Sequence, residues 1–97
     1  MFVVNLSYTK PMNEVEKYLE EHLEFVKENY QAGNFICSGR KVPRTGGIIL
    51  CDFENIEVAK EILNRDPFII TGVATYELIE FAVTMCADEM KNLVEKK

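Results

Sequence analysis

Residues 35–53, FICSGRKVPRTGGIILCDF, form two apolar runs hinged on a polar, glycine-bearing turn. The pattern predicts a short strand over Phe35 to Ser38, a loop from Gly39 to Gly46, and a second strand from Gly47 to Phe53. Apolar and β-branched runs of this length, bounded by Gly and Pro, are strand signals. Their closeness along the chain makes them a hairpin.

Upstream, Phe2 to Tyr8 alternates Val4, Leu6 and Tyr8 with Val3, Asn5 and Ser7, the period-two pattern of a strand with one drier face. Lys10-Pro11 ends it. Asn13 is placed to cap a helix, and Glu16, three residues on, completes a variant capping box. From Glu14 to about Gln31 the apolar residues Val15, Leu19, Leu23, Val26 and Tyr30 recur at helical spacing, with Gly33 placed to stop the helix.

Downstream the pattern repeats. Asn55 heads a second helix with Ile56, Ala59, Ile62 and Leu63 facing inward. Asp66-Pro67 ends it, because a residue before proline avoids helical geometry. Phe68 to Thr71 predicts one short turn released by Gly72, and Thr75 to Phe81 the last strand, with Tyr76, Leu78 and Glu80 on one face. In the tail from Ala87 to Lys97, Met90, Leu93 and Val94 are spaced for a short C-terminal helix.

The order strand, helix, strand, strand, helix, strand predicts an α+β, ferredoxin-like βαββαβ fold with a four-stranded antiparallel sheet. Both helices then cover one face of that sheet. The other face carries Val3 and Phe81 and has nothing left in this chain to cover it. A second copy of the sheet is the expected cover, so a homodimer is predicted, with higher oligomers left open. Size points the same way, since a chain of 97 residues makes one small domain with limited burial of its own.

Eleven basic against sixteen acidic residues leave a net charge of −5, which argues against nucleic acid and anionic membrane surfaces as partners. No stretch reaches the ~20 apolar residues of a membrane span, and the opening residues lack the basic-then-apolar pattern of a leader. The three cysteines, Cys37, Cys51 and Cys86, show no CxxC spacing. Reduced thiols in a cytoplasmic protein are the expectation, with Cys37 and Cys51 as small hydrophobes inside strands.

His22 is the sole histidine and lies on or beside the apolar stripe of the first helix. It can serve as a packing group held by one hydrogen bond. It can also move protons, since the unperturbed imidazole pKa, about 6.5, suits transfer near neutrality. Asp66 is equally two-sided: it can cap a turn begun by Pro67, or it can meet His22 in space. The loop from Ser38 to Gly47 holds Arg40, Lys41 and Arg44 within five positions, beside three glycines and the hydroxyls of Ser38 and Thr45. It can bind a carboxylate or phosphate, or remain a solvated turn; no Walker A or GxGxxG pattern is present. Glu16, Glu20, Glu24 and Glu28 recur every four residues and read as a solvated helix face. No histidine–cysteine cluster implies a metal, and no cofactor is expected.

Taken in order, the opening strand, His-Leu-Glu-Phe at 22–25, Ser38-Gly39, Pro43-Arg44-Thr45-Gly46-Gly47, Asp66-Pro67-Phe68, Gly72 and Tyr76-Glu77-Leu78-Ile79-Glu80-Phe81 resemble the YCII-related (YciI-like) family of the dimeric α/β-barrel superfamily. The resemblance runs from about Phe2 to Phe81. It makes residues 1–97 a single YCII-related domain with 82–97 as a C-terminal extension. It also implies a dimeric barrel and a His–Asp pair at the centre of a site, here His22 and Asp66. Ser38, Gly39 and Arg44 would lie near the same pocket.

Two functions follow as expectations. In the first, a small-molecule enzyme, Asp66 fixes the tautomer of His22, whose other nitrogen takes a proton from a small anionic or aromatic substrate. Arg44 and the Gly46-Gly47 segment then hold the developing negative charge, and the reaction is an elimination or isomerisation. In the second, a non-catalytic ligand-binding or dimerisation module, His22 and Asp66 merely satisfy one another.

Overall fold

Residues 1–93 are described by a computed structural model. Its elements are β1 (Phe2–Tyr8), α1 (Met12–Glu16), α2 (Leu19–Gln31), β2 (Phe35–Arg40), β3 (Gly46–Cys51), α3 (Ile56–Leu63), α4 (Pro67–Ile70) and β4 (Ala74–Glu80). A single 3-10 turn run follows at Asp88–Leu93. It stands where the tail helix was expected; Val94 and later residues lie outside the described region. The sheet order is β2-β3-β1-β4 with every neighbouring pair antiparallel. This is the ferredoxin-like α+β arrangement predicted from the element order.

The alternation of β1 works as read. Phe2, Val4 and Leu6 are buried beneath the helices, whereas Val3, Asn5 and Ser7 face the other way. Phe2, Val4, Ile49 and Cys51 of the sheet meet Phe25 and Val26 of α2 and Ala59 and Leu63 of α3 in one core cluster. A second cluster joins Leu6, Val15, Phe68, Val73 and Ala74. Full burial of a side chain such as Phe2 or Phe68 stabilises the fold by roughly 1.5–3 kcal/mol.

The first helix departs from prediction in two ways. It is divided, because Lys17 and Tyr18 make i to i+3 hydrogen bonds to Glu14 and Val15 and tighten the turn. Tyr18 leaves helical geometry at φ −114°, ψ 6°, and the step lets Val15, Tyr18 and Leu19 pack around Phe68. Its start is also earlier. Pro11, not Asn13, is the N-cap, its carbonyl accepting from the Glu14 and Val15 N–H groups, and no side chain caps that end. Gly33 closes α2 as expected: at φ +79° it lets its own N–H reach the Tyr30 carbonyl and the Asn34 N–H reach that of Asn29. That is a Schellman ending.

Asn55 caps α3 as predicted, accepting from the Val58 N–H at 2.9 Å. The helix stops at Leu63 before Asp66 because Asp66 starts α4. The hairpin strands are longer than expected at the turn, leaving only residues 41–45 between β2 and β3.

A bulge in β2 decides what the hairpin presents. Phe35 pairs with Cys51, yet Cys37 pairs with Leu50, so Ile36 is an extra residue. An extra residue reverses the side-chain alternation beyond it. Phe35 points to the core, and after the bulge Ser38 and Arg40 share that side. Cys37 is turned outward and exposed, against the expectation of a buried strand residue; Cys51 is buried as expected.

Candidate active site

The register creates a hollow between α2 and the sheet. On the helix-covered side of β3, Gly47 lies between Leu6 of β1 and Arg40 of β2 and offers no side chain to fill the space. The result is a cavity of about 310 Å³. Its sheet wall is Leu6, Tyr8, Ser38, Arg40, Gly47 and Ile49. Leu19, His22, Leu23 and Val26 of α2 roof it, Phe68 closes one side, and Gly39, Arg44, Gly46 and Ile48 complete the hairpin end.

His22 faces Asp66 directly. Its Nδ1 lies 2.8 Å from Asp66 Oδ1 and 3.0 Å from Oδ2. A carboxylate only accepts, so Nδ1 carries the hydrogen, and in the singly protonated ring that tautomer leaves the lone pair on Nε2. Nε2 makes no hydrogen bond among the described residues. The aspartate side chain is 3% exposed and the histidine 13%, so the pair is largely dry while the ring still borders the cavity. The imidazole also stacks on Phe68, with ring centroids 3.9 Å apart and planes 2° from parallel.

Asp66 is held by local chemistry as well. Its Oδ1 accepts the Phe68 N–H at 2.9 Å, the capping role its sequence position suggested, with Pro67 at the first helical position. The two readings of Asp66 are therefore both present in one carboxylate. Capping fixes its orientation, and the fixed oxygens then orient His22.

Of the residues singled out in the sequence, His22, Ser38, Gly39, Arg44, Gly46 and Gly47 all border the cavity, and Asp66 stands behind His22. Gly47 belongs to β3 as the predicted strand boundary had it, and so does Gly46, which was expected to end the loop. A Cβ at Gly46 would run into the Leu6 carbonyl, so that position must be glycine for β3 to lie against β1. Lys41 points to the opposite side, donating to Ser7 Oγ at 3.2 Å. Ser38 Oγ is paired with the Tyr30 hydroxyl at 2.6 Å, a link from α2 that no spacing in the sequence announced. Arg40 was legible as part of a basic loop, but its inward direction depends on the bulge. Tyr8, read on the drier face of the first strand, and Phe68, read as the start of a short turn, are both cavity wall, packed edge to face at 5.9 Å. Among the described residues no three His, Cys, Asp or Glu side chains converge to hold a metal ion.

A ferredoxin-like sheet with a His–Asp pair beside a small cavity defines a compact α+β domain. The chain belongs to the YCII-related domain family, whose model matches residues 1–82. Among solved structures it is similar to 5-chloro-2-hydroxyhydroquinone dehydrochlorinase (TftG) from Burkholderia phenoliruptrix in complex with 2,5-dihydroxybenzoquinone. The TM-score is 0.71 at 13% sequence identity, over 86% of this chain and 95% of the other. That likeness is one of fold. No curated protein matches the sequence.

Proposed function

We propose that the protein is a small-molecule enzyme in which His22 and Asp66 act as a general acid–base pair for an elimination or isomerisation. The observation that carries the reading is the bond from His22 Nδ1 to both Asp66 oxygens, which leaves Nε2 without a partner beside a cavity. Nε2 takes a proton from the substrate, and the Asp66 carboxylate offsets the positive charge the ring acquires. Electrons left on the substrate move toward an oxygen or expel a leaving group. Arg44 and the Ser38 hydroxyl, at the hairpin side, stabilise the anionic oxygen as it develops. The fold shared with a dehydrochlorinase supports an elimination, since removal of hydrogen chloride is one.

The test is solvent-proton exchange and chloride release, followed by NMR in deuterated buffer with chlorinated hydroquinones and related small acids. Positioned acid–base groups contribute about 10²–10⁴-fold, so His22→Ala should lose at least a hundredfold in rate. A wild-type rate in His22→Ala would remove the mechanism. Two contacts favour a non-catalytic reading: Asp66 already caps α4 and His22 already stacks on Phe68, both structural roles. On that reading His22→Ala alters ligand affinity or stability and no chemical step.

The same proposal includes a homodimer through the uncovered sheet face. Ile48, Ile79 and Phe81 are 40%, 49% and 39% exposed there, and Asn5 Oδ1 is buried without a partner among the described residues. Leaving such an oxygen unpaired costs about 1–3 kcal/mol, which a donor from a second copy offsets. No helix of the described residues is long and apolar enough to cross a membrane. Residues 82–97 stand as an extension of the domain.

A further inference from the structure

We infer that the cavity's ligand is a small carboxylic acid with a ring-sized apolar body, its carboxylate held by Arg40 and Arg44. The inference rests on the proposed function in taking the cavity beside His22 as the ligand site, and it adds the substrate class. Arg40 and Arg44 both line the cavity from exposed positions, and neither guanidinium has a hydrogen bond or ion pair among the described residues. No Asp or Glu lines the wall. In a chain of net charge −5, two unopposed arginines over a cavity without acids are a local reversal of sign. Arg40 is there because the β2 bulge turns it to the inner side and Gly47 opposite leaves it room.

The remaining wall is apolar, chiefly Leu19, Leu23, Val26 and Ile49. A bare inorganic anion would leave that surface wetted and unused. A volume of about 310 Å³ lies at the lower end of the roughly 300–1,000 Å³ of ligand pockets, which suits a single ring and its substituents. Guanidinium forks match carboxylate geometry with two parallel hydrogen bonds. With the carboxylate engaged at the hairpin, the body of the molecule extends under α2, where His22 is the group able to accept a proton. Arg40 is thus a specificity-determining residue.

Benzoate, its neutral counterpart benzamide, and inorganic phosphate are the probes, titrated into the ¹⁵N-labelled full-length chain and followed by amide shifts. Benzoate should perturb Gly39, Gly46 and Gly47 and bind about ten-fold or more tightly than benzamide, as expected of charge-assisted bonds. Arg40→Ala and Arg44→Ala should each lose most of that preference. His22→Ala should keep it, so failure of the acid–base pair and failure of the anion site are read separately. Equal binding of benzoate and benzamide, no response to benzoate, or an unchanged preference in the double arginine variant would each overturn the assignment. Phosphate binding more tightly than benzoate would overturn it in favour of a phosphate ligand.

Discussion

Asp66 does two jobs with one buried carboxylate, and substitutions separate them. Asp66→Ala removes the α4 cap and the partner of His22 together; loss of a cap alone costs about 1 kcal/mol. Asp66→Asn keeps an oxygen for the Phe68 N–H. Urea denaturation should therefore show a larger loss for the alanine variant than for the asparagine one, while both lose turnover. Cys51 offers a second residue-level check. Burial pushes its thiol from an ordinary 9.0 up to about 12, and its Sγ donates to the Phe2 carbonyl. Native protein treated with iodoacetamide should label Cys37 and Cys86, both exposed, and spare Cys51. The sign of the linkage follows: up to about pH 9 both folded and unfolded forms keep this thiol neutral and its contribution is intact. Above that the unfolded chain ionises first, and stability falls as pH climbs toward 12.

At the scale of elements, the periodicities were legible wherever one face meets the core. The alternation of β1, the stripe of α2, the Asn55 cap and the two turn glycines, Gly33 and Gly72, all carry their meaning locally. The break at Lys17 and Tyr18 was not legible, because the apolar spacing runs through it unbroken and only packing around Phe68 selects the step. The inward turn of Arg40 was hidden for a related reason: one inserted residue in β2 reverses the alternation, and nothing in FICSGR marks Ile36 as the insertion. The meeting of His22 with Asp66 spans 44 positions, so spacing was silent and the family resemblance supplied it. A cap acts locally, which gives a clean control. Asn55→Ala should lower stability by about 1 kcal/mol in chemical denaturation and leave benzoate binding unchanged, since α3 contributes nothing to the cavity wall.

For the whole molecule, the sheet has one covered face and one bare one. Pairing through the bare face predicts a sedimentation mass of about 22 kDa, twice the 11.2 kDa of the chain. Charge introduced at its exposed apolar positions, as in Ile79→Lys with Phe81→Lys, should shift the mass to that of the monomer at micromolar concentration. A wild-type mass near that of one chain would remove the dimer from the proposal.

The cavity opened by Gly47 lies on the opposite side of the sheet from this bare face. In the proposed dimer, two copies joined back to back would therefore carry their sites on outward faces, with two sheets between them. Of the exposed apolar residues named on that face only Ile48 also borders the cavity, so saturation should stay close to the simple hyperbola of independent sites. The proposed pair would share a foundation and keep two rooms, with Ile48 in the wall common to both.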